Sequence, residues 1–214
     1  METLTRARKA VESGAFKVEI APITIAEKAG LRTIASDEHP LKVDPAKIPS
    51  LKPAFRPDGT ITPAASSANA DGAAALVLTK RSLADREGLP VLAEIKGHAT
   101  HSQEPQWFTT APIPAIRKLL HRVGWQVGDV DLFEINEAFA VVAMAAQRDL
   151  GIPRDRLNIN GGACALGHPI GATGARLIVT LLHALEARNA KRGIAALCIG
   201  GGEATAIAIE RGAH

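Results

Sequence analysis

Between residues 89 and 210 the apolar side chains switch repeatedly between a two-residue and a 3.6-residue period, and glycines cut most of the switches. "PVLAEIKGHATH" (90–101) reads as a strand, and "PIPAIRKLLHRVG" (112–124) as a helix that opens near prolines and stops at Gly124. "DVDLFEIN" is a further strand. "EAFAVVAMAAQRDLG" is an apolar helix ended by Gly151, and "ATGARLIVTLLHALEARNA" is a second such helix. "IAALCIG" and "ATAIAIE" close the chain as two strands joined through glycines in a hairpin-like turn. Strands alternating with helices and ending in an antiparallel pair require an α/β fold, a mixed sheet with helices packed on it.

The earlier residues are less regular. "LTRARKAVES" (4–13) has helical spacing up to Gly14, and "FKVEIAPITI" (16–25) alternates like a strand. From about Ser36 to Ala65 prolines and charges rule out a long helix or central strand, leaving a long loop region. "GAAALVLTK" (72–80) then reads as a buried strand and "SLADREG" as a short helix with Ser82 as N-cap. The division expected is 1–80 for the end of an N-terminal half with its loops and 81–214 for a C-terminal domain.

At 46% hydrophobic residues, 214 residues can bury one substantial core. Five Phe, two Trp and no Tyr mean that Ala, Leu, Ile and Val must fill it. A net charge of +3, evenly scattered, gives no reason to expect a nucleic-acid surface. Two cysteines, Cys164 and Cys198, exclude a disulfide framework. The opening "METLTRARKAVESG" is too polar for a signal peptide and no later run reaches the length of a membrane span, so a cytoplasmic protein without a membrane partner is expected.

Three stretches carry the candidate chemistry: "NEAFA" (136–140), "GGACALGHPIGATGAR" (161–176) and "CIGGGEA" (198–204). Each lies where a predicted strand gives way to a turn or helix, the place where α/β sheets bind ligands. Taken singly, each has an ordinary structural reading. Cys198 is a small buried hydrophobe, His168 caps a helix from a rigid Gly–His–Pro turn, and Asn136 is the N-cap of the following helix. Zinc ligation by Cys164, His168 and Cys198 matches no paired-cysteine spacing. The glycines fit neither G-x-G-x-x-G nor a Walker sequence.

Together, in order and local sequence, the three stretches resemble the asparagine, histidine and cysteine motifs of the thiolase family, the acetyl-CoA acyltransferases. "DGAAALVL", "PIPAIRKLL" and "RKAVESGAFKVEIAPI" extend the likeness over nearly the whole chain. The resemblance implies a layered thiolase-like fold. It also implies an enzyme that makes or breaks a carbon–carbon bond beside a coenzyme A thioester, with acyl-CoA and CoA as substrates and no separate cofactor. It assigns His168 to nucleophile activation and to one oxyanion hole, with Asn136 holding a water that completes it. Cys198 becomes the acid/base for the α-proton, its pKa lowered by a nearby imidazole, and the Gly200 N–H lines the second hole. Ser67 in "TPAASSANADG" falls near the pantetheine, and Phe55, Phe108, Ala138 and Phe139 fall on the walls of the acyl-CoA tunnel, though core packing explains the phenylalanines equally well. Where the family often has a phosphate-binding arginine stand Pro40 and Leu41, with Lys42 a weaker substitute.

The family's acyl-carrying cysteine, in a Cys-x-Ser/Gly motif, has no counterpart in these residues. The chain therefore resembles a C-terminal portion. The expectation is a homo-oligomer or a partner chain that brings the nucleophile, the alternative being a non-catalytic remnant that binds acyl-CoA or a partner protein.

Overall fold

The computed structural model describes residues 1–212. Its centre is a four-stranded sheet in the order β3–β6–β5–β4, formed by β3 (Glu94–Ser102), β4 (Leu132–Ile135), β5 (Arg192–Cys198) and β6 (Glu203–Glu210). β4 runs parallel to β5 with Ile135 opposite Ala196, and the other pairs are antiparallel, so the sheet is mixed as expected.

Alternation along the strands decides which helix covers which face. Phe133, Ile135, Ile194, Ala196 and Cys198 point to one side, where α4 (Pro112–Val123) and α5 (Ala140–Leu150) bury Ile116, Leu119 and Val142 against them. Leu132, Ala195 and Ile209 point to the other side and meet Leu177, Leu181 and Leu185 of α7 (Thr173–Ala187). Two helical layers thus enclose one sheet, an α/β architecture. The small residues Ala204, Ala206 and Ala208 on β6 let α4 approach closely, which suits a core with few aromatic rings. No helix among the described residues is long and apolar enough to cross a membrane.

The glycine stops Gly14, Gly124 and Gly151 act as read, and Gly88 joins them: all four adopt the left-handed conformation, at the ends of α1 (Glu2–Ser13), α4, α5 and α3 (Arg81–Glu87) respectively. Elsewhere the first eighty residues depart from expectation. Residues 16–20 form a turn, because the side chain of Phe16 is buried and its carbonyl takes the N–H groups of Glu19 and Ile20. The strand starts only at β1 (Ile23–Glu27), paired in a hairpin with β2 (Gly30–Ile34). The proline-rich region holds only the four-residue α2 (His39–Lys42) and short 3-10 turns. "GAAALVLTK" is not a strand. It runs irregularly along the surface with no ladder partner among the described residues, and Val77 is 95% exposed. Ser82 is not an N-cap, since α3 starts at Arg81 behind Lys80.

Candidate active site

Parallel pairing puts two of the candidate side chains on adjacent strand ends. β4 ends at Ile135 and β5 at Cys198, so the C-terminal edge of the sheet presents Asn136 and Cys198 on neighbouring strands, with the Asn136 N–H bonded to the Ala196 carbonyl at 2.9 Å. Asn136 is not the helix cap that its position allows, because α5 begins four residues later behind Phe139. Its amide is buried, with Nδ2 3.4 Å from Nε2 of His168 and Oδ1 without a partner among the described residues.

His168 reaches that position from a loop held at several points. Gly167 has φ +98, a backbone state open to glycine, and a Cβ there would run into the methyl of Ala70. The His168 N–H donates to the Ala68 carbonyl at 2.9 Å, the Ala68 N–H to Ala163 at 3.2 Å and the Ser67 N–H to Ala138 at 3.0 Å. Residues 67 and 68 therefore lace the asparagine motif to the histidine motif. Ser67 is half-buried beside Ala138 and Phe139, where its backbone serves as a clasp. Across from Asn136, Nδ1 of His168 lies 2.6 Å from Oγ1 of Thr173.

Glu137, which reads from sequence as the start of a helix, is a buried anchor. Its Oε2 accepts from Thr3 Oγ1 at 2.9 Å and from the Cys164 N–H at 3.2 Å, and Oε1 accepts from Asn158 Nδ2 at 3.3 Å. These bonds tie α1 and the strand end to the short helix α6 (Ala163–Leu166), which carries the chain into His168. Gly162 packs so closely on this carboxylate that a Cβ would lie 2.6 Å from Oε2.

Electrostatics differ between the two candidate acid/base groups. Burial, and then the positive charge of Arg176, hold the His168 imidazole below its ordinary pKa. Cys198, 6% exposed, is pushed up by burial to about 11. The expectation of an imidazole-lowered thiol is thus corrected: at this depth desolvation outweighs any neighbouring help. Cys164 is pushed up as well, by burial and by the Glu137 carboxylate beside it. On the α7 side of the sheet, Arg176 shares a buried space with Glu134 and Glu19, which burial raises to about 8 and about 7 against the pull of that guanidinium, and with Asp37, raised for the same reason.

The aromatic assignments meet in one place. The Phe139 ring packs edge-on against Phe55, centroids 5.9 Å apart, and against Phe108 at 6.1 Å. Phe108, Ala138 and Phe139 lean on the core, whereas Phe55 is 69% exposed. Gly200 lies in the open turn after β5, where a Cβ would meet nothing within 4 Å. Lys42 is engaged with Glu38 at 3.3 Å. Among the described residues no three His, Cys, Asp or Glu side chains gather as a metal site. A cleft of about 170 Å³ between α1 and α5, lined by Thr3, Arg6, Glu137, Met144, Gln147 and Asn158, contains none of Asn136, His168 and Cys198. Sequence reading missed Glu137, Thr173 and Arg176; the only signal for them was a polar residue inside an otherwise apolar pattern.

Comparison with known proteins places the family model "Thiolase, N-terminal domain" on residues 1–82 and "Thiolase, C-terminal domain" on residues 89–211. A Dictyostelium discoideum protein named probable acetyl-CoA acetyltransferase is 48% identical over 212 residues, 99% of this chain and 51% of its own. The crystal structure of the Bacillus anthracis acetyl-CoA acetyltransferase matches at TM-score 0.94 and 45% identity, over 98% of this chain and 53% of that one. The Acat5 thiolase of Ascaris suum, in complex with coenzyme A, matches at TM-score 0.86 and 36% identity over 98% and 53%. The chain spans about half the length of the relatives it matches.

Proposed function

The chain belongs to the thiolase family, and from that premise we propose that it supplies the acid/base and oxyanion part of an acetyl-CoA C-acyltransferase, forming or thiolytically cleaving carbon–carbon bonds in acyl-CoA thioesters. The observation that carries this reading is the placement of Asn136 and Cys198 on adjacent strand ends with His168 against the asparagine amide. Residues 1–80 and 81–214 are read as the end of an N-terminal half and a C-terminal domain, a division supported by the two family matches. Coenzyme A is substrate and no separate cofactor is invoked, in line with the coenzyme A complex of the Ascaris suum relative.

In the cleaving direction a nucleophile adds to the β-carbonyl, the bond to the α-carbon breaks, and the Cys198 thiol gives its proton to that carbon; condensation reverses the transfer. A thiol raised to about 11 is a good proton donor to an enolate and, once ionised, a strong base toward a weakly acidic α-proton. His168, held neutral, takes the nucleophile's proton on Nε2 and then donates from it to the first oxyanion. The unpartnered Oδ1 of Asn136 is a seat for the water that completes this hole. The Gly200 N–H, in its open turn, serves the second. Ser67 and the Phe55, Phe108, Ala138 and Phe139 cluster line the approach of the thioester.

Neither cysteine suits the acyl-carrying role, because both are buried with raised pKa values. The nucleophile is therefore assigned to residues beyond these 214, whether in a longer chain or in a partner, and the exposed Val77 and Leu78 support association with a second copy or such a partner. Two free, buried cysteines fit a reducing compartment, here the cytoplasm. Spectrophotometric thiolysis of acetoacetyl-CoA tests the reading. The chain alone should be inactive and should gain activity with a thiolase N-terminal half that carries the family cysteine. No gain with any such half would favour a non-catalytic acyl-CoA or protein binder, and activity of the chain alone would refute the assignment of the nucleophile.

A further inference from the structure

We propose that Thr173, the first residue of α7, is a positioning residue that fixes His168 as the Nδ1–H tautomer and so turns the lone pair of Nε2 toward Asn136. A neutral imidazole carries one N–H, and which nitrogen holds it follows from what each nitrogen faces. On the Nδ1 side the partner is the Thr173 hydroxyl at 2.6 Å. That hydroxyl has a single proton and donates it to the Pro169 carbonyl at 3.0 Å, the back-bond typical of threonine in a first helical turn. A carbonyl has no proton to offer, so the hydroxyl presents its oxygen to the ring and Nδ1 must be the donor.

The asparagine at the other end of the ring is oriented to suit the same assignment. Nδ2 of Asn136, a donor without acceptor capacity, stands 3.4 Å from Nε2. Were the threonine proton directed at Nδ1 instead, Nε2–H would confront the asparagine N–H₂, donor against donor. Thr173 is 0% exposed, so no solvent competes for its hydroxyl. Arg176, three residues further along α7, sets its positive charge on the same imidazole and opposes a second proton there. The carboxyls of Glu134, Glu19 and Asp37 couple to the same guanidinium. One helix therefore sets the tautomer through Thr173 and, through Arg176, adds to the effect of burial that keeps the ring neutral. The use of the exposed lone pair as a base rests on the function proposed above, whereas the tautomer does not.

The test is ¹⁵N NMR of histidine-labelled protein, with the His168 signals identified by their loss in His168→Gln. Wild type and Thr173→Ser should show a protonated, pyrrole-type Nδ1 and an unprotonated, pyridine-type Nε2. In Thr173→Val, which keeps the shape and removes the acceptor, the pyridine-type signal should leave Nε2 for Nδ1, because a buried N–H without acceptor is costly and the Asn136 amide can turn its unpartnered Oδ1 to receive Nε2–H. A protonated Nε2 in the neutral wild type, or an unchanged pattern in Thr173→Val, would overturn the proposal. If the valine variant does not fold, the wild-type and serine spectra decide by themselves. These readouts involve no turnover, so a failed tautomer lock and a failed thiolysis assay are separate results.

Discussion

Gly162→Ala is the substitution whose effect the geometry fixes most tightly. Gly162 has φ −140 and ψ −168, an extended state open to any residue, so the consequence is steric. The new methyl would stand 2.6 and 2.7 Å from the two carboxylate oxygens of Glu137. That side chain cannot swing aside freely, because Thr3, Cys164 and Asn158 all donate to it. Either the contact is absorbed as overpacking, at about 1–3 kcal/mol, or the carboxylate moves and gives up a charge-assisted bond worth about 1.5–3 kcal/mol. A loss of roughly 1–3 kcal/mol follows in either case, a large share of the ~5–15 kcal/mol that holds an ordinary domain together. Urea unfolding followed by the fluorescence of buried Trp125 reads it directly. Adding Glu137→Ala in the same chain should recover part of the loss, giving a coupling of at least about 1 kcal/mol in a double-mutant cycle. A single variant within about 0.5 kcal/mol of wild type, or strictly additive effects, would refute the picture of a pinned carboxylate under the histidine loop.

Two further outcomes follow from the titrating groups. Glu134 and Glu19, raised to about 8 and about 7, bind protons in the folded state at pH values where the unfolded chain has released them. Stability should therefore rise as the pH is lowered from about 8 toward the ordinary glutamate range, by up to about 1.4 kcal/mol per pH unit for each proton taken up. His168, lowered when folded, works against this below its ordinary value; urea midpoints across that range check the sign, and Glu134→Gln should flatten the slope. Cys198, raised to about 11, should be alkylated by iodoacetamide in native protein far more slowly than in urea at pH 8.5, and equal rates would contradict its buried setting.

Much of the sheet and its helices was legible because periodicity and glycine stops are local. The 3.6-residue spacing of "PIPAIRKLLHRVG" and the left-handed Gly124 carry the same information. Residues 72–80 defeated the same logic, since an apolar run becomes a strand only where a neighbouring strand offers its backbone, and none does so among the described residues. The β1–β2 hairpin was only half seen, because a turn closed on the Phe16 carbonyl shifts the strand start to Ile23. At the site, motif order named Asn136, His168 and Cys198, but nothing local to their letters announces the residues that hold them. Glu137 and Thr173 each look like an ordinary helix opening; only the fold sets one beneath Gly162 and the other against an imidazole.

The central claim is that the Asn136–His168 pair and Cys198 form one acid/base centre for acyl-CoA thioesters. The most direct measurement is the single-site comparison of acetoacetyl-CoA thiolysis in protein reconstituted with a nucleophile-bearing half. His168→Ala and Cys198→Ala should each lower kcat by about 10²–10⁴-fold, the usual worth of a positioned acid or base, with circular dichroism unchanged. A rate near wild type in either variant would contradict the account.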